Sequence, residues 1–145
     1  FYQSSGFNRL STFPGAIGLL SHLFKHGCSV FAVTARPSHI GVLTEDNLRF
    51  NFGLYAPKVI FSKPYTPILD NNGELKTKVE ICLERNIGFA TEDSVKHANA
   101  LGEAGIITFL LPQPWNLNDM KIHANVIRVN SLKDVLGMQR LFISE

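Results

Sequence analysis

Two cysteines in 145 residues, Cys28 and Cys82, are too few for a disulfide framework or a zinc cluster, and no Cys-x-x-Cys occurs. Both sit in apolar settings and read as reduced core residues. Charge of one sign is scarce as well. Fourteen Lys and Arg against twelve Asp and Glu leave a formal +2, with no basic stripe. That balance argues against nucleic-acid binding through a charged face. No apolar run approaches the roughly 20 residues that a membrane-spanning helix needs, so no membrane partner is expected. No cleavable signal segment is visible, and localisation defaults to the cytosol or an organelle interior. Gly-x-Gly-x-x-Gly, a Walker-type loop and a Ser-His-Asp candidate are all absent. The five histidines, His22, His26, His39, His97 and His123, lack metal-ligand spacing and read as surface or boundary residues.

What is present is the composition of a folded globular chain, 45% hydrophobic and 18% charged. The length suits one ordinary domain with a continuous core, and no internal repeat or low-complexity tract appears. The first residue is Phe1 and not Met, in a segment that reads as ordered, so a processed or incomplete chain is expected.

Apolar residues Ile17, Leu19, Leu20, Leu23 and Phe24 recur at helical spacing after Pro14-Gly15, and Gly27 ends the run. Ser29-Val30-Phe31-Ala32-Val33-Thr34 is unbroken, β-branched and aromatic, which predicts a strand buried on both faces. Pro37 and Ser38 open a second helix carrying Ile40, Val42, Leu43, Leu48 and Phe50, ending near Gly53. Lys58-Val59-Ile60-Phe61 is a short strand, and residues 64–73 read as a surface loop rich in Pro, Asp, Asn and Gly. A helix over 75–85 leads into a strand over 88–91, then a helix over 94–105 and an apolar strand over 106–111. A loop with the single Trp follows, then a strand over 126–129 and a helix opened by Ser131. Strands alternating with helices predict a three-layer, Rossmann-like parallel sheet with helices on both faces, as one domain over residues 1–145.

Chemistry concentrates where strands end. Gly88-Phe89-Ala90-Thr91-Glu92-Asp93-Ser94 is an apolar run that stops in two adjacent carboxylates, with a serine placed to cap the next helix. The C-terminal ends of parallel strands share one edge, the usual place for an α/β site, so Thr34 and Asp93 are expected to converge there. Adjacent carboxylates repel, and Mg²⁺ would relieve the repulsion. A hydroxyl (Thr34), an ammonium (Lys78) and a carboxylate pair (Glu92, Asp93) are what phosphoryl transfer requires. A polar turn with an N-cap, a strand-favouring threonine and solvated helix lysines would read the same way residue by residue.

Taken in order, these segments resemble the haloacid dehalogenase (HAD) superfamily. Val33-Thr34-Ala35-Arg36-Pro37 is similar to its second motif, Lys78 to its third, and Thr91-Glu92-Asp93-Ser94 with Ala98, Ala100 and Ala104-Gly105-Ile106 to its fourth. Leu111-Pro112-Gln113-Pro114-Trp115-Asn116 resembles the Pro-Trp-Asn loop of the 5′-nucleotidase-like branch, which includes deoxyribonucleotidases. The resemblance implies an HAD-like core with Mg²⁺ as cofactor, Asp93 as direct metal ligand and Glu92 as its neighbour in the metal shell. Thr34 would hydrogen-bond the transferring phosphoryl group. Lys78 would neutralise it and orient the nucleophile, with Lys76 the fallback. Arg36 has no fixed family role and is either a substrate contact or a surface salt-bridge residue. Trp115 reads as a packing anchor.

One family element is missing. The superfamily attacks phosphate with an Asp-x-Asp on its first, central strand, whereas this chain has no Asp-x-Asp and its first aspartate, Asp46, falls in the second helix. The nucleophile is therefore expected upstream of Phe1, with residues 1–13 the end of a cap segment. A preceding segment or a second chain would complete the sheet. The expected activity is Mg²⁺-dependent hydrolysis of a phosphate monoester, on a small phosphorylated metabolite or nucleoside monophosphate, with this chain inactive by itself. The alternative is a catalytically inactive HAD-like binding or structural subunit.

Overall fold

In the computed structural model residues 12–62 and 76–138 are described. They belong to two compact units divided after Thr77. The expectations for residues 1–11, for the 64–73 loop and for Leu75 lie outside the described residues.

In the first unit, α1 (Ala16–Lys25) buries Ala16, Leu19 and Leu23, a stripe at helical spacing. Gly27 ends it at φ 71°, the left-handed region where a side chain is disfavoured. The turn closes by the Gly27 N–H donating to Phe24 O and the Cys28 N–H to Leu23 O, which satisfies last-turn carbonyls. Two strands follow, β1 (Phe31–Thr34) and β2 (Lys58–Phe61), paired in parallel with Thr34 opposite Phe61.

Sequence predicted β1 as buried on both faces; all four of its residues are half-buried. Among the described residues β1 has one strand neighbour, β2, so half of its surroundings lacks sheet. The second helix is a 3₁₀ turn over Ser38–Ile40 running into α2 (Gly41–Phe52). Its buried positions are Ile40, Thr44 and Asn47, while Val42 and Phe50 are exposed. Of its apolar residues Ile40 is buried and Leu43 and Leu48 are half-buried, and the polar Thr44 and Asn47 share that inner face. Thr44 is accommodated because its hydroxyl donates to Ile40 O at 3.0 Å, one turn back.

The second unit carries α3 (Lys78–Glu84), β3 (Phe89–Glu92), α4 (Val95–Glu103), β4 (Ile107–Leu110), β5 (Val126–Arg128) and α5 (Leu132–Met138). The α3 helix starts at Lys78, later than the sequence pattern suggested; Lys76 and Thr77 are not helical. The strands form one parallel sheet in the order β3-β4-β5, with Glu92, Leu110 and Arg128 in register at its C-terminal edge. Its core joins Cys82, Leu101 and Ile106, and beside them Ala98, Leu110 and Val126. Phe109 is fully buried and meets Phe89 edge-on, ring centroids 5.6 Å apart. The protein is thus α/β with parallel strands, arranged among the described residues in two small sheets. No helix among them is long and apolar enough to cross a membrane.

Gly102 shows how closely α4 lies on β5. A Cβ there would stand 3.0 Å from His123 Nδ1 and 3.2 Å from Val126 Cγ2. The His123 side chain cannot easily retreat, because its Nδ1 accepts the Asn125 N–H and the His123 backbone N–H donates to Asn99 Oδ1. Gly102→Ala gains about 1 kcal/mol of helix propensity and loses about 1–3 kcal/mol to overpacking. We expect a net loss of about 1 kcal/mol, read as a lower midpoint of thermal unfolding; a raised midpoint would contradict this packing.

Candidate functional site at the edge of the second sheet

The end of β3 is held from both sides by the helices that flank it in sequence. Alternation along the strand leaves Thr91 exposed and withdraws the Glu92 side chain to 9% exposure. An isolated carboxylate at that burial would be costly. Lys78, the first residue of α3, compensates it with Nζ 2.6 Å from Glu92 Oε1. Its side chain is 20% exposed, so the pair is largely shielded from water. The neighbouring α4 begins at Ser94, whose hydroxyl caps the helix by accepting the His97 N–H at 3.4 Å. That start brings His97 Nδ1 to 3.8 Å from Glu92 Oε2.

Burial pushes the His97 imidazole below its ordinary value, and the Lys78 ammonium pushes the same way, against the pull of Glu92 and Asp93. That balance favours the neutral imidazole, so the approach of His97 to Glu92 does not depend on a full charge. Burial also raises the Cys82 thiol, with the Glu92 charge adding to the rise and Lys78 opposing it. Cys82 is a protonated core thiol, as its apolar setting suggested.

Asp93 has different surroundings from Glu92. Its carboxylate accepts no hydrogen bond among the described residues, while its backbone carbonyl accepts two. Asn116 Nδ2 donates to it at 2.7 Å and Trp115 Nε1 at 3.1 Å. The adjacent carboxylates expected to need a cation are thus divided: an ammonium answers the charge of Glu92, and the half-buried Asp93 carboxylate has no ion pair among the described residues.

Among the described residues no group of three or more His, Cys, Asp and Glu could hold a metal ion by itself. Mg²⁺ does not require such a cage; it binds through one or two carboxylates and fills its octahedron with waters and phosphate oxygens. The free, hard oxygens of Asp93 fit that role, and Glu92, committed to Lys78, fits an outer one.

The remaining expected site residues, Thr34, Arg36 and the fallback Lys76, belong to the first unit. Thr34 ends β1, where its Oγ1 accepts the Arg36 N–H at 3.2 Å and its carbonyl accepts the Ser62 N–H at 2.8 Å. Its hydroxyl proton is not used by that turn. Lys76 is exposed and lies outside α3. Trp115, expected to be a packing anchor, is 67% exposed and bonds through its N–H.

Two participants were missed in the sequence. His97 lies one turn into α4, and a Ser N-cap directly after the acids is the signal that points its first turn back at them. Asn116 was noted as part of a loop motif with no function of its own. No protein-family model matches the chain, and no curated protein matches it.

Proposed function

We propose that this chain is the core of an Mg²⁺-dependent phosphate monoester hydrolase of HAD-like type, nearest in character to the 5′-nucleotidases, acting on a nucleoside monophosphate or similar small metabolite. The observation that carries this reading is the Lys78–Glu92 ion pair beside the unpaired Asp93 carboxylate at the C-terminal edge of a parallel sheet. Such an arrangement keeps a cation and an open anionic ligand side by side, as a site for a metal-bound phosphate requires.

In this reading Asp93 is the direct metal ligand, and Glu92 holds Lys78 in place from the outer shell. Bound Mg²⁺ would supply neutralisation of charge on the phosphoryl oxygens. Lys78 adds a second positive charge and orients the attacking group. Thr34 and Arg36 enter only through the resemblance of Val33-Thr34-Ala35-Arg36-Pro37, which gives Thr34 a hydrogen bond to the phosphoryl group and Arg36 no fixed role. The attacking aspartate comes from outside these 145 residues, since no Asp-x-Asp occurs within them. A further strand, from the same polypeptide or a second chain, would carry it and complete the three-layer sheet.

Crystals of the full-length protein soaked with Mn²⁺ and vanadate test this reading. Anomalous density within ligand distance of an Asp93 carboxylate oxygen, with vanadate beside Lys78, is expected. Ordered protein with neither ligand at Asp93 would favour the inactive binding or structural subunit.

A further inference from the structure

The loop after β4 is exposed almost throughout, yet Asn116 within it is only 1% exposed. Every polar atom of its side chain is used. Nδ2 donates to the carbonyls of Asp93 (2.7 Å) and Leu111 (2.8 Å), and Oδ1 accepts the Gln113 N–H at 3.1 Å. Those two carbonyls lie just past the ends of β3 and β4, so one amide ties the two strand ends together. Two donors facing carbonyls and one acceptor facing an N–H leave no alternative orientation for the amide.

The tie is braced from outside. Asn116 N–H donates to Gln113 O at 3.0 Å, closing the turn, and Arg128 at the end of β5 donates to Asn116 O at 3.0 Å and to Asp119 O. Trp115 adds a second N–H to the Asp93 carbonyl without being buried. Packing does not explain why an exposed indole should bond there, nor why a fully saturated amide should sit inside a surface loop. Both residues converge on a single atom, the carbonyl oxygen of the residue whose carboxylate is free.

We infer that Asn116 and Trp115 are positioning residues that fix the Asp93 backbone and thereby set the affinity of its carboxylate for a divalent cation. The inference rests on the proposed role of Asp93. With two N–H groups aimed at its carbonyl, Asp93 presents a cation with side-chain oxygens only, in one backbone conformation. Outer partners of this kind commonly alter metal affinity by about 10–100-fold. Releasing one of two donors should cost less, about fivefold.

The test is calorimetric titration of Mg²⁺ alone into the full-length protein without substrate, for wild type, Trp115→Phe, Asn116→Ala and Asp93→Asn. Trp115→Phe keeps the ring and removes one donor from an exposed position, so it should fold as wild type does. Its thermal midpoint in EDTA should be unchanged and its Mg²⁺ affinity about fivefold weaker, a separation that a purely structural role would not produce. Asn116→Ala should weaken Mg²⁺ about tenfold or more; if it does not fold, Trp115→Phe carries the test. Wild type should also change its Trp115 emission on adding Mg²⁺, and Asp93→Asn should not. Wild-type binding with unaltered affinity in the folded loop variants would overturn this inference and leave the proposed function standing. Absence of Mg²⁺ binding by wild type would overturn both.

Discussion

Asp93→Asn should reduce phosphate release by the full-length protein about 1,000-fold, equivalent to roughly 4 kcal/mol of transition-state stabilisation. It should do so with little change in stability. The substitution keeps the backbone carbonyl that Asn116 and Trp115 hold, and it removes a carboxylate that accepts no hydrogen bond among the described residues. Removing that charge also relieves repulsion with Glu92, so the thermal midpoint of the metal-free protein should stay level or rise. This pairing of outcomes separates a ligand from a structural acid. A structural Asp93 would lose several degrees of melting temperature along with any activity. An Asp93→Asn variant of wild-type activity would remove the residue from the site.

The second large effect is expected at Lys78. Replacing it by Met leaves Glu92 with a side chain 9% exposed and without its 2.6 Å partner. Breaking a buried ion pair by removing one partner costs about 3–5 kcal/mol. The Lys78 side chain is 20% exposed, so water moderates the loss, and we expect about 2–3 kcal/mol. For a chain of this size that corresponds to a drop of about 4–12 °C in thermal midpoint. Lys78→Met combined with Glu92→Gln should recover most of the stability, because no unpaired charge then remains buried. It should recover none of the hydrolysis, since Lys78 is also assigned to the phosphoryl group. A single variant within 0.5 kcal/mol of wild type would show that Lys78 and Glu92 do not depend on each other.

The alternation of strands and helices was legible because the strands are unbroken apolar runs and the helices start and stop at strong signals. Ser94 caps α4 and Gly27 ends α1 for local reasons that sequence spacing displays directly. The buried face of α2 was not legible. Thr44 and Asn47 are buried while Val42 and Phe50 are exposed, and for Thr44 a hydrogen bond back along the helix makes that tolerable. The depth of β1 was misread for a related reason: burial depends on how many strands flank it, which its own residues do not encode.

At the site, the acids and Lys78 stood out as residue types, and the resemblance supplied their roles. The Lys78–Glu92 pairing did not stand out. The resemblance distinguished Asp93 from its neighbour Glu92, but nothing in the residues themselves shows that Glu92 is the one held by an ammonium. Asn116 was hidden because a loop asparagine ordinarily caps its own turn; its bond to Asp93 spans two elements. Spacing along the chain carries no information about such a contact.

The most direct measurement is inorganic phosphate released from nucleoside 5′-monophosphates by the full-length protein, with Mg²⁺ and with EDTA. The account predicts release that requires Mg²⁺, ceases with EDTA and is lost in Asp93→Asn. A full-length protein that binds Mg²⁺ yet releases no phosphate from these or other phosphate monoesters would contradict it.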